Sequence, residues 1–503
     1  MKAFTRGKFL ASLALVCGLL CGCGEPSSSG ESLVSSKASS GDIFPQSDGS
    51  HYVGDTMPYY ENGTYYVYYL NDLRSGPYGF HPIWLRTTSD FCSWSEPVEA
   101  IPASTNPGDQ DVGLGTGSLI KGSDGTYHFY YVGYNNFGNV TYVEKIQHAT
   151  SSDLVHWTKH PEDGFYGGCD DFRDPYVYWN AATSDYRMLI TTKRNGLSVL
   201  VQYASSDLTS WSDQGVFYAN DNRNYNMECS SLLKIGAYYY LTFSAQLDIG
   251  PTRTVNYRYS SDLLTWKVPN DERLDGAGFY AGRLVKGQDD RVFCCGWDAT
   301  KQYGYDEDPF DWGGSLVSHE IFTRTNGEIY IGPINEIASH FNGEIGLKTL
   351  TSQGVTTNNS SVTFPSNDSG LYLHEAYPSG NFLYSFDVSF GALSGKFGLT
   401  FNAKNGSLGS LFIVFDLDNN ALSFYQGNFS QGSFASAAQI SLSLAYSRNQ
   451  TYHVSLYGED QVVALYVGGK RGLTTRMMKA VGNPFGFFAY QCSATLTLGK
   501  AFH

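Results

Sequence analysis

The chain has 503 residues, 42% of them apolar and 15% aromatic, with 38 Tyr, 31 Phe, 55 Gly and a formal net charge of −15. That length allows two or three domains, and the composition is one of strand and turn formers rather than of disorder or collagen. The acidic balance, with no long Lys/Arg block, argues against nucleic acid as a partner, because a negative surface repels a phosphate backbone.

The first eight residues, "MKAFTRGK", are basic, and "FLASLALVCGLL" is an apolar run of 12 residues. A bilayer takes about 20, so this run is a signal-peptide core rather than a membrane span. "LCGC" (Leu20–Cys23) resembles a bacterial lipobox, in which the last Cys becomes the acylated N-terminus. The expectation is a signal peptide over 1–23, lipid on Cys23, and a flexible Ser-rich tether over 24–45 containing "SSSGESLVSSKASSGD". Such a chain is an exported bacterial lipoprotein, held by its lipid at the cell surface or in the periplasm. Six Cys lie beyond the signal (Cys92, Cys169, Cys229, Cys294, Cys295 and Cys492). They show no Cys/His spacing of a metal site, so no metal is implied, and their pairing cannot be read from sequence.

From about residue 50 a repeat organises the chain. "TTSDFCSW", "ATSSDLVHW", "YASSDLTSW" and "YRYSSDLLTW" end at Trp94, Trp157, Trp211 and Trp266, at intervals of 63, 54 and 55 residues. In phase with it run "NGTYYVYYL", "DGTYHFYYV", "SDYRMLITT", "IGAYYYLTF" and "DDRVFCCGW", each a turn followed by a strand-like run. The reading is five four-stranded sheets, an all-β five-bladed propeller over 46–340. All eight Trp lie at or before Trp312. Beyond it, "LYSFDVSF", "LFIVFDL", "YHVSLYG" and "VVALYVGG" alternate between Gly, Asn and Ser turns, which predicts a β-sandwich over 345–503.

The inner strand of each blade lines a propeller's channel, so charged residues ahead of each turn-plus-strand element are candidates for a site. Asp55, Asp174 and Glu228 hold similar positions in blades one, three and four. Glu228 lies between Met227 and Cys229 at the head of an apolar run, where a lone charge is costly. Blade two carries Thr116 and Ser118 in the corresponding stretch, and blade five Tyr280 and Arg283. Three carboxyls around an aromatic pocket suit glycoside hydrolysis, which needs one carboxyl protonated and another ionised.

"FRDP" (Phe172–Pro175) and "EC" (Glu228–Cys229), with the "GDTMPYYENG" segment around Asp55, resemble the motifs of glycoside hydrolase family 32, the invertases, levanases and inulinases. "GTGS" (Gly115–Ser118) stands where that family has a Ser-Gly-Ser loop. The resemblance implies a retaining cleavage of β-fructosidic bonds in levan, inulin or sucrose-like oligosaccharides, without a cofactor. Asp55 would be the nucleophile, Glu228 the acid and then the base, and Asp174 a transition-state stabiliser. Arg173, Thr116, Ser118 and Tyr280 would bind substrate. Retaining enzymes hold their two working carboxyls about 5–5.5 Å apart. Cys229 reads as a packed neighbour of the acid, and His81 and Trp84 as either rim or packing residues. The sequence departs from the family pattern at Gly54, Thr56, Leu70, Gly115 and Ser230. Two other readings stay open: an inverting family 43-type arabinanase or xylosidase, and an inactive glycan-binding propeller.

Overall fold

The computed structural model describes residues 39–40, 42–47, 50–74, 81–138, 140–169, 171–220, 225–246, 253–404 and 406–503. The expected signal peptide, Cys23 and most of the tether lie outside the described residues. Five small antiparallel sheets follow one another over residues 52–332. Their inner strands are Tyr52–Glu61, Gly113–Lys121, Arg173–Asn180, Asn226–Ile235 and Phe279–Lys286. Each inner strand packs on the next, and the fifth packs on the first, so the ring closes as a five-bladed propeller. Val53 of blade one also pairs with Gly314 of blade five across the closure.

The Ser-Asp repeat is one turn built four times. In blade two, Ser151 Oγ accepts the backbone N–H of Asp153 and Leu154, while Asp153 Oδ1 accepts those of Val155 and His156. Ser205/Asp207 and Ser260/Asp262 repeat these bonds, and Thr88/Asp90 does so in blade one. Such side-chain bonds give the backbone an alternative to the sheet ladder, so the chain reverses there.

Blade four departs from the expected four strands. It has Asn226–Ile235, Tyr238–Gln246 and Thr254–Ser260. A fourth is reduced to single bridges, Tyr259 to Lys267 and Asn256 to Arg273. The sequence there, "KVPNDERLDG", has a Pro that cannot donate to a ladder and four charges within five residues of it.

The helix Asn335–His340 leads into two packed sheets over residues 344–502, each face alternating as in Asn381–Phe390. Their shared core is strongly aromatic, with Phe382, Phe386, Phe397, Phe485 and Phe487 at its centre. This sandwich grips the propeller with two buried arginines. Arg471 pairs with Asp271 at 2.7 Å, and Arg476 donates to Asp298 O, Ala299 O and Ser315 Oγ. The expected tether is corrected at its C-terminal end: Ile43 and Phe44 are buried, and Leu316 N–H donates to Pro45 O at 2.8 Å. Ser39–Ser40, still within the Ser-rich stretch, already pair with Ser93–Trp94, and residues 43–45, apolar or Pro, then join the core.

Candidate active site

Every inner strand carries the same irregularity at its N-terminal end. Two residues face one of the neighbouring strand: Gly54–Asp55, Thr116–Gly117, Asp174–Pro175, Cys229–Ser230 and Ala281–Gly282. A β-bulge of this kind bends the strand and re-aims its side chains. Asp174, Cys229 and Ala281 take left-handed φ values of 57°, 51° and 52° within it, conformations that cost about 1–3 kcal/mol each. The three acids are therefore not at equivalent positions, as their distances to the following turns implied. Glu228 is the last paired residue before its bulge, Asp174 the first bulged residue, and Asp55 the second. All three nonetheless line one cavity of about 650 Å³.

The acids have different surroundings. Asp55 accepts from Thr116 Oγ1 at 2.6 Å and from the indole N–H of Trp297 at 3.0 Å. Trp297 meets Tyr280 edge-on, with ring centroids 5.5 Å apart, and the Tyr280 hydroxyl donates to Glu228 Oε2 at 2.6 Å. One aromatic pair thus reaches both carboxylates. Glu228 Oε1 accepts from Arg173 Nε at 3.1 Å and Nη2 at 2.8 Å. Burial pushes the Glu228 carboxyl above its usual range, Arg173 opposes this, and Asp174 adds to it. Asp174 accepts the Cys229 N–H at 2.9 Å. Burial pushes it up too, against Arg173 and with the repulsion of Asp55. The Cys229 thiol is buried and pushed well above its usual value, so it stays protonated and unreactive.

Arg173 lines the cavity, but its N–H groups are directed at protein acceptors. Besides Glu228 it donates to Asp171 at 2.8 Å, Glu144 at 3.3 Å and Gln246 at 3.4 Å. That makes it a group that positions the acids. Lys193 also pairs with Asp171, and despite burial these bonds hold Asp171 down at about 2. Burial raises Glu144 to about 7 in spite of Arg173.

Thr116 and Tyr280 face the cavity as expected. Ser118 does not, and its expected place as a substrate-binding residue is corrected. The bulge at Thr116–Gly117 turns it between blades two and three, where it is buried and accepts the Val177 N–H at 2.8 Å. Arg283 is likewise buried beneath the site, donating to Gly117 O and, at 3.4 Å, to Asp174 O. His81 stacks on Trp312 at 4.3 Å on the cavity wall, whereas Trp84 packs into the core. Sequence reading missed Trp297, Glu144, Arg253 and Trp312. Trp297 comes to the site by pairing directly with Tyr280 across the blade. Arg253 lies over the Tyr280 and Trp297 rings at 5.7 and 5.4 Å.

Two departures from the family pattern have local causes. A Cβ on Gly54 would come within 2.1 Å of the Trp312 ring, so the indole occupies the space of a side chain beside Asp55. Thr56 is buried and donates to Cys295 O at 2.6 Å, tying blade one to blade five.

The model of the glycosyl hydrolases family 32 N-terminal domain matches residues 55–330, more than half of the chain. The chain belongs to glycosyl hydrolase family 32. It is 25% identical over 305 residues to a raffinose invertase of Escherichia coli, a match that takes in 56% of this chain and 61% of that protein. It is 28% identical over 196 residues to a levanbiose-producing levanase of Geobacillus stearothermophilus, covering 36% and 45%. Among solved structures it resembles an exo-inulinase from Aspergillus awamori, with a TM-score of 0.70 at 16% identity over 93% of this chain and 98% of that one. That last likeness carries the fold, propeller and sandwich together.

Proposed function

We propose that this family 32 protein is a retaining glycoside hydrolase that cleaves β-fructosidic bonds in levan, inulin or sucrose-like oligosaccharides. The observation that carries the reading is that Asp55 and Glu228 enter one cavity, joined by the Trp297–Tyr280 pair, with Glu228 buried. Both oxygens of Asp55 accept hydrogen bonds, which fits a nucleophile. Glu228 is pushed by burial to hold a proton, which fits a general acid. Asp55 attacks the anomeric carbon of a fructosyl unit while Glu228 gives its proton to the departing oxygen. Glu228 then takes a proton from water as that water attacks the fructosyl-enzyme and frees Asp55. Asp174 binds sugar hydroxyls between them. The family match and the names of the relatives, an invertase, a levanase and an inulinase, support the substrate class.

The test is turnover of levan, inulin and sucrose by the wild type, Asp55→Asn and Glu228→Gln. Hydrolysis by the wild type and its loss in both variants, with sugar binding kept, is the expected result. Absence of turnover of every fructoside by the wild type would leave a binding protein. The sequence "LCGC" and the Ser-rich stretch after it support export and lipid attachment at Cys23. Expression in bacteria fed labelled palmitate tests this: label in the wild type and none in Cys23→Ser is expected, and label in both would refute it.

A further inference from the structure

The strands Val292–Lys301 and Phe310–Thr323 form a hairpin of blade five. Tyr280 at the cavity pairs with Trp297, and Phe279 with Asp298, so the first of these strands runs towards the cavity mouth. Its tip, residues 302–309, emerges there, and Pro309, Phe310 and Trp312 on the return line the cavity itself.

This tip holds aromatic rings out into solvent. Tyr303 is 71% exposed and Tyr305 55%, among the most exposed large apolar residues described. The loop is nonetheless pinned. Asp308 Oδ2 accepts the N–H of Tyr303 at 3.1 Å and of Tyr305 at 2.8 Å, and Asp308 N–H returns to Tyr305 O at 3.1 Å. Asp306 is buried and accepts the Met478 N–H of the sandwich at 2.7 Å, and the Lys479 ammonium sits 5.1 Å over the Tyr305 ring. Apart from the Lys479 contact to Tyr305, the two rings add little to the core, and an exposed aromatic surface beside a cavity is the form of a binding site.

We propose that Tyr303 and Tyr305 form a secondary subsite on which the sugar rings of a fructan chain stack when its end occupies the cavity. The inference rests on the function proposed above and sharpens it, since a track leading out of the cavity serves a polymer and not a disaccharide. Its occupant follows from chain continuity: Pro309, Phe310 and Trp312 line the cavity, and the loop that carries the two tyrosines directly precedes them. Sugar rings present apolar C–H faces to an aromatic ring, while the Tyr hydroxyls stay in water.

The test compares wild type, Tyr303→Ala/Tyr305→Ala and Tyr303→Phe/Tyr305→Phe on levan, inulin and sucrose. The double Ala variant is expected to raise KM for one polymer at least about tenfold, with kcat and the KM for sucrose unchanged. The double Phe variant is expected to keep the wild-type values. Mobility in native gels containing levan or inulin gives a readout independent of turnover: the wild type is retarded and the double Ala variant is not. Equal losses on sucrose and polymer, or equal retardation of both proteins, would overturn the proposal. A wild type that hydrolyses no fructoside yet is retarded through these tyrosines would refute the enzyme reading and leave the subsite standing.

Discussion

Replacing Tyr280 with Phe removes one hydroxyl and keeps the ring that packs against Trp297. The lost bond runs to Glu228 Oε2 at 2.6 Å. Among the influences on Glu228, burial raises its affinity for a proton, Arg173 lowers it, Asp174 raises it and the Tyr280 bond lowers it. Without the hydroxyl the ionised form is less well satisfied, so the carboxyl holds its proton to higher pH. A hydrogen bond to a charged group is worth about 1.5–3 kcal/mol, and water entering the open cavity replaces part of it. The net change is on the order of 1.4 kcal/mol in favour of the protonated form. A general acid works while protonated, so activity falls as pH rises past its pKa, and raising that pKa extends activity towards alkaline pH. The basic limb of kcat/KM against pH is therefore expected to move to higher pH. A basic limb that stays in place or moves down would refute the assignment of Glu228 as the acid under the control of Tyr280.

Neighbouring residues of blade two give opposite expectations. Thr116→Val removes a donor to Asp55 and should lower kcat roughly a hundredfold with little change in KM. Ser118→Ala should cost about 1 kcal/mol in urea unfolding and leave both kinetic constants alone. In the same blade His128 contacts His148 at 3.0 Å, and His148 contacts Asp163 at 2.7 Å, with His160, Asp124 and Glu162 nearby. Burial, and then His148, lowers His128 to about 4, so between pH 6.5 and 4 the unfolded chain binds the extra proton and stability falls as pH falls. His128→Gln should remove up to about 3 kcal/mol of that loss, and identical pH slopes of unfolding free energy in variant and wild type would contradict this. Arg476→Met should destabilise the protein by about 3 kcal/mol in denaturant, because three propeller acceptors lose their donor at once.

The parts of the fold legible in the sequence were those written in local bonds. The Ser-Asp turn needs only residues within five of one another, so four copies could be read directly and with them the blade period. The missing fourth strand of blade four hides behind the same turn, because the turn forms whether or not a strand follows. The three acids could be brought to one mouth by counting from each turn. Their stagger could not, because a bulge adds a residue without marking it in the sequence. The same bulge misdirected Ser118: alternation carried on from Thr116 puts it in the cavity, and the extra residue turns it into the blade interface. Trp297 and Glu144 reach the site from the second and third strands of their blades, through pairings that only the folded sheet supplies. Gly54 is a departure from the family motif that becomes intelligible once Trp312, 258 residues on, is seen to fill its place.

The most direct measurement is the stereochemistry of transfer to methanol. A fructan incubated with the protein in aqueous methanol should yield methyl β-fructofuranoside, identified by NMR, because a covalent intermediate on Asp55 inverts the anomeric centre twice. Asp55→Asn should yield none. A methyl α-fructofuranoside product would mean a single inversion and would contradict the nucleophilic role of Asp55.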